Sequence, residues 1–183
     1  MLSRVAERQI RRMAALTSTL LFATAEALAQ QEQARGSRRI VVSIPDCKLA
    51  ILESGKVVRI YPTAVGAVGS PSPAGKYTIV TRLTEPTWYG KGKIVGPGKN
   101  NPLGTRWLGL SVLGYGIHGT NNPASIGRCA SHGCIRLRNR DVEQLFEVVR
   151  VGDAVELVDE RTPEVTQIFG ADEVLPASVA APR

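Results

Sequence analysis

The sequence predicts a mainly β domain, a β-sandwich or barrel-like fold carrying one short helix. Three observations lead there. Short β-rich runs recur between turn residues, a single segment beyond the N-terminal region shows a helical stripe, and no internal repeat is visible. With 183 residues and 43% hydrophobic content, the chain has room and apolar surface for one globular domain with tails.

Taken in order, residues 39–44 alternate loosely around an apolar run and read as the first strand. Residues 48–53 and 56–61, joined by Ser54-Gly55, have the form of a hairpin. An apolar run at 63–68 then meets Gly69-Ser70-Pro71-Ser72-Pro73-Ala74-Gly75, a stiff loop that turns at its glycines. Residues 76–83 resume β character. The Gly-, Pro- and Asn-containing stretch 84–106 reads as a long surface excursion of the kind that shapes binding grooves. Residues 109–117 read as a strand delivering His118. The helix is expected after Asp141, an N-cap with Gln144 three residues on and an apolar stripe at Val142, Leu145, Phe146 and Val149. Val151-Gly152-Asp153 should end it, and 154–158 should form a last strand. From Glu160 onward the periodicity fades among Pro163, Pro176 and Pro182, so 160–183 is expected to be a flexible C-terminal tail.

The N-terminus reads as an address. Arg4, Arg8, Arg11 and Arg12 precede a largely apolar run at 13–25, and Ala27-Leu28-Ala29 supplies a small-x-small site. That order is a secretory signal peptide over 1–29, with cleavage expected before Gln30 and a polar linker at 30–38. The run is too short for a permanent span, which needs about 20 residues. Export to the periplasm or cell envelope follows. The net charge of +7 falls to +5 without the first thirty residues, and no basic stretch carries interleaved aromatics. No nucleic-acid partner is expected; an anionic polymer suits this balance equally well, and the protein is expected to be a monomer.

The chemistry is concentrated in one stretch. Ile117-His118-Gly119-Thr120 leads on to Ser131-His132-Gly133-Cys134-Ile135-Arg136-Leu137, which together hold both histidines and, with Cys129 between them, two of the three cysteines. A thiol is a good nucleophile only as thiolate, and an adjacent imidazole is the usual way of making one. A thiolate–imidazolium pair is therefore expected, and Gly133 would let backbone N–H groups approach a substrate closely. Outside the cytoplasm thiols tend to pair, and three is an odd number. If Cys134 stays free, Cys47 and Cys129 remain as a possible disulfide; a Cys129–Cys134 bridge is also conceivable and would silence the nucleophile.

These two segments closely resemble the catalytic motif of bacterial L,D-transpeptidases. Ser70-Pro71-Ser72-Pro73-Ala74-Gly75-Lys76-Tyr77 is similar to the Pro-rich turn before a strand in that family, and Asn101-Pro102-Leu103-Gly104 with Trp107 to its pre-catalytic segment. The similarity covers about 39–159, read as the catalytic domain. The resemblance implies an L,D-transpeptidase-like β-sandwich with its helix after the catalytic Cys, and an enzyme acting on peptidoglycan stem peptides. Cys134 would be the nucleophile and His118 the general base, then acid. The Gly119 carbonyl would orient the imidazole. Gly133 and Cys134 N–H groups, with His132 nearby, would form an oxyanion hole. Arg136 would meet a substrate carboxylate, with Ser131 as a second substrate-binding residue. Neither a metal nor an organic cofactor is implied. The acceptor amine could belong to a stem peptide, an envelope protein or a free D-amino acid. Cys129 departs from the family pattern, where a small or polar residue is more usual.

Three rival readings compete with this one. A zinc site of His118, Cys129, His132 and Cys134 lacks the spacing of common zinc modules, and His132 and Cys134 are too close for an easy tetrahedron. A papain-like peptidase would place its base after the nucleophile, and no His follows Cys134. A catalytically inactive peptidoglycan-binding module would keep the groove but not acylate.

Overall fold

The computed structural model describes residues 38–90 and 92–170. The expected signal peptide, most of the linker, and residues 171–183 lie outside the described residues. The fold is mainly β. Strands β1 (Arg38–Ser43), β2 (Lys48–Glu53) and β3 (Lys56–Pro62) form an antiparallel meander. They are followed by β4 (Val65–Gly66), β5 (Gly75–Thr84), β6 (Trp88–Gly90), β7 (Lys93–Val95), β8 (Arg106–Leu110), β9 (Gly116–His118), β10 (Cys129–Ser131) and β11 (Ile135–Arg136). Helix α1 (Asn139–Val148), strand β12 (Ala154–Val158) and helix α2 (Pro163–Phe169) complete the described chain.

Eight strands make the main sheet in the order β11-β9-β8-β5-β12-β1-β2-β3. β5 joins its two halves: residues 75–78 pair with β12 and 79–84 with β8, with an irregularity between Ile79 and Thr81. A bulge there lets one strand bend between two sheets. Strands from opposite ends of the order share one core, in which Leu49, Ile51 and Tyr61 meet Leu108, Ile117 and Ile135. The sheet therefore curls over on itself. Just beyond β3, Ala64 exchanges backbone hydrogen bonds with Arg136 of β11 at 2.9 Å in each direction, tying the two edges together.

β1 is apolar without clean alternation because both its faces are covered. Ile40 and Val42 enter the main core, while Val41 joins Ala50 and Leu52 beneath α2. That helix corrects the expected flexible tail. Val165, Ile168 and Phe169 are buried against the outer face of β1 and β2. Pro163 starts the helix: it sits in the first turn, where a missing N–H costs nothing. The Thr162 hydroxyl caps the end by accepting the Val165 N–H at 3.2 Å.

Two further local expectations change. Asp141 does not cap α1. Arg138 is the N-cap, with no side-chain capping bond, and the nearly buried Asp141 carboxylate takes Arg140 Nε at 3.1 Å within the first turn. The single strand expected at 109–117 is a hairpin, β8 and β9, because the chain turns at Gly114 (φ +84°). The excursion at 84–106 contains its own hairpin, β6–β7, and is pinned by fully buried Asn101. Its Nδ2 donates to the carbonyls of Pro86 at 2.6 Å and Gly96 at 3.1 Å.

Candidate active site

β9 and β11 are parallel neighbours, with Ile117 opposite Ile135 and His118 opposite Arg136. Side chains alternate along strands, so once both isoleucines enter the core, His118 and Arg136 must share the other face. Cys134 directly precedes β11, and Arg136 is near enough for its charge to act on both Cys134 and His118. The Cys134 thiol points at the Gly114 carbonyl, 3.7 Å away, and is partly buried. The topology thus gathers the three residues that the motif singled out.

His118 is 4% exposed and held on several sides. Its Nδ1 lies 2.6 Å from the Gly119 carbonyl oxygen. A carbonyl only accepts, so Nδ1 carries the proton and Nε2 is left with its lone pair. The imidazole stacks on Trp107 with ring centroids 5.6 Å apart and 26° between planes. Gly116 makes room for that indole, since a Cβ there would sit 2.6 Å from Trp107 Cη2. The next peptide is fixed by Asn139, whose Oδ1 accepts the Thr120 N–H at 3.0 Å. The same oxygen would lie 2.2 Å from a Cβ on Gly119, so a side chain there would displace Asn139 from its bond to Thr120.

The turn before Cys134 is built by Ser131. Its buried hydroxyl donates to the Cys134 carbonyl at 2.6 Å and accepts the Gly133 N–H at 3.0 Å. Two expectations change as a result. Ser131 faces inward and shapes the turn rather than a substrate. The Gly133 N–H is already used, so its donation to a substrate oxygen is not available in this arrangement. Among the described residues nothing accepts the Cys134 N–H, which leaves that amide as the free donor beside the sulfur. Gly133 matters instead for its shape: φ is +105°, and a Cβ would meet Tyr115 Cε1 at 2.5 Å. His132 is exposed at the tip of the turn.

The electrostatics differ from the expected ion pair. Burial pulls the His118 pKa down to about 4, against the opposing pull of the Gly119 carbonyl, and Arg136 adds to the lowering. Burial likewise raises the Cys134 thiol above its usual range, opposed by the Gly116 backbone and by Arg136. Both shifts favour a neutral thiol beside a neutral imidazole at rest. Removing water disfavours both charged forms, and it does so before any substrate arrives.

Arg136 is half-buried, and burial lowers its pKa. Its Nη1 donates to the Ala130 carbonyl at 3.3 Å. Among the described residues no carboxylate pairs with it; Asp141 is taken by Arg140, and Glu143 accepts from Thr105 at 2.7 Å. Among the described residues, no group of three or more His, Cys, Asp or Glu side chains is arranged to hold a metal ion.

A family model for the L,D-transpeptidase catalytic domain (YkuD) matches residues 37–157, about two thirds of the chain. The chain belongs to the L,D-transpeptidase family. It is similar to a protein named as the L,D-transpeptidase YkuD of Bacillus licheniformis, 41% identical over 119 residues, which are 65% of this chain and 64% of that one. A second, named as the L,D-transpeptidase YqjB of Bacillus subtilis, is 35% identical over 130 residues, covering 68% and 73%. A third, named as the L,D-transpeptidase YbiS of Escherichia coli, is 34% identical over 148 residues but is covered for only 48% of its length. The chain therefore spans between about half and three quarters of these relatives. Among solved structures, an L,D-transpeptidase from Mycobacterium tuberculosis superposes with a TM-score of 0.58 at 21% identity, over 67% of this chain and 58% of the other. That likeness establishes the fold. Of the residues around the L,D-transpeptidase site, Tyr115 and Asn139 were not singled out in the sequence. Glycines at 116, 119 and 133 were the available signal that close neighbours lay opposite them.

Proposed function

We propose that this chain is an exported L,D-transpeptidase that forms a thioester between Cys134 and a peptidoglycan tetrapeptide stem. The observation that carries the reading is an imidazole with its tautomer fixed and a guanidinium without a carboxylate of its own on one face, with a thiol at the start of the same strand near that guanidinium. In the proposed reaction Arg136 holds a stem carboxylate through its bidentate fork. His118 Nε2 takes the Cys134 proton as the sulfur attacks the carbonyl of the L-centre of the stem's diamino acid. The Cys134 N–H donates to the developing oxyanion, with His132 close by. A donor so placed contributes on the order of 3 kcal/mol to the transition state. Collapse of the intermediate breaks the peptide bond, and His118 returns the proton to the leaving D-alanine. An amine then attacks the thioester, and Cys134 leaves with its electron pair and regains a proton through His118. Water in place of the amine gives L,D-carboxypeptidase action.

Residues 39–159 would be the catalytic domain, delivered to the periplasm or envelope by the 1–29 signal. Acceptors would be a second stem peptide or an envelope protein. The test is incubation of the reduced full chain with a disaccharide-tetrapeptide. Free D-alanine should accumulate with the wild type and fall to background with Cys134→Ala. A folded, reduced wild type that binds the tetrapeptide without releasing D-alanine would instead establish a binding module.

A further inference from the structure

Two cysteines take no part in the proposed reaction. Cys47 closes the turn between β1 and β2 and is buried, whereas Cys129 opens β10 and is exposed. Both meet the short stretch Thr63–Val65. The Cys47 carbonyl accepts the Thr63 N–H at 2.8 Å. On the other side, the Gly127 N–H donates to the Thr63 carbonyl at 2.7 Å, and Cys129 is paired with Val65 in the β4–β10 register. These contacts bring together residues 82 positions apart in sequence. The Cys47 thiol donates to the Ile44 carbonyl at 3.7 Å, and burial first, then the neighbouring Cys129, push its pKa up to about 11. All three thiols of the chain are reduced in this structure.

We propose that Cys47 and Cys129 form a covalent modification site that is oxidised by small disulfides, leaving Cys134 as the chain's one free thiol. Exposed Cys129 attacks first. As thiolate it breaks the S–S bond of an external disulfide, forming a mixed disulfide and releasing one thiolate. Cys47 then gives its proton to solvent, and its sulfur displaces the second thiolate. Two protein thiols are oxidised while one external disulfide is reduced to two thiols. Cys47 is suited to the resolving step: it is shielded from solvent, and its neighbour no longer carries charge once capped.

The consequence reaches the active site by two routes. β10 runs directly from Cys129 to Ser131, which holds the nucleophile's turn, so the crosslink anchors that strand to the β1–β2 turn. It also consumes Cys129, the thiol nearest Cys134 in sequence. The geometry already separates those two, since Cys134 points to the Gly114 carbonyl while Cys129 pairs with Val65, two residues from the Thr63 N–H that the Cys47 carbonyl accepts.

The experiment needs no enzymatic activity. The full chain is incubated with excess oxidised glutathione, quenched with iodoacetamide and mapped by non-reducing peptide mass spectrometry. The expected result is a Cys47–Cys129 linked peptide with Cys134 alone alkylated, and a Tm about 5–10 °C above the reduced protein. Cys129→Ala, altered at an exposed position, should show no such link and no rise in Tm. A Cys129–Cys134 peptide, or glutathione retained on Cys129 while Cys47 is alkylated, would overturn the proposal.

Discussion

His118→Gln should lower the rate of Cys134 acylation by about 10³-fold, within the usual contribution of a general base. The loss should be this large because the thiol has little alternative help. Its pKa is raised by burial, so the thiolate is scarce without a proton acceptor, and Arg136 offsets burial only in part. The wild-type pH profile should follow the same logic. With the His118 pKa near 4, the imidazole stays neutral through the whole range above, and acylation should lose its base only as pH falls towards 4. An acid limb near 6.5, the value for an exposed histidine, would contradict a buried base. Stability should move with it. Above pH 6.5 His118 is neutral folded and unfolded, so no protons are taken up on unfolding. Between 6.5 and 4 the unfolded chain binds the proton that the folded site refuses, so stability falls with pH by about 3 kcal/mol in total. His118→Gln should lack that component in urea titrations at pH 7 and pH 4.

Gly133→Ala should reduce acylation by about 100-fold or more while leaving a folded protein. A φ of +105° already disfavours any side chain, and the added methyl would meet Tyr115 Cε1 at 2.5 Å and the Pro71 carbonyl at 3.1 Å. Backbone strain of this kind costs on the order of 1–3 kcal/mol, which a packed domain survives. The nucleophile's placement would not survive it. Relief of the clash moves the Ser131–Cys134 turn, breaking the Gly133 N–H to Ser131 Oγ bond and shifting the neighbouring sulfur and amide together. Near-UV circular dichroism with carbapenem acylation kinetics separates the two effects. Native spectra with wild-type rates would show that the turn tolerates the methyl and that its geometry does not set the rate.

Much of the sheet was legible because its signals are local. The hairpin of β2 and β3 announced itself through Ser54-Gly55 between β-rich runs, and β5 and β12 through apolar runs flanked by turn residues. α2 was hidden among scattered prolines and polar residues, although Val165, Ile168 and Phe169 already had helical spacing; what stabilises so short a helix is the face of β1 and β2 beneath it, which only the fold supplies. The β8–β9 turn was masked by Val112 and Leu113, apolar residues at a tip where the sequence suggests a strand, and Leu113 is 97% exposed. At the site, residue types singled out Cys134, His118 and Arg136, because the proposed reaction calls for a thiol, a base and a cation. They could not reveal that Ser131 Oγ occupies the Gly133 N–H, because a side chain's choice between substrate and its own backbone depends on rotamers. Nor could they reveal neutral resting partners, because burial is a property of the closed sheet.

Covalent acylation of Cys134 is tested most directly by intact-mass spectrometry of the reduced full chain with a carbapenem. The wild type should gain the mass of one drug molecule, peptide mapping should place it on Cys134, and Cys134→Ala should stay at its native mass. A folded, reduced wild type that never gains the drug's mass, or an adduct that persists in Cys134→Ala, would contradict the assignment.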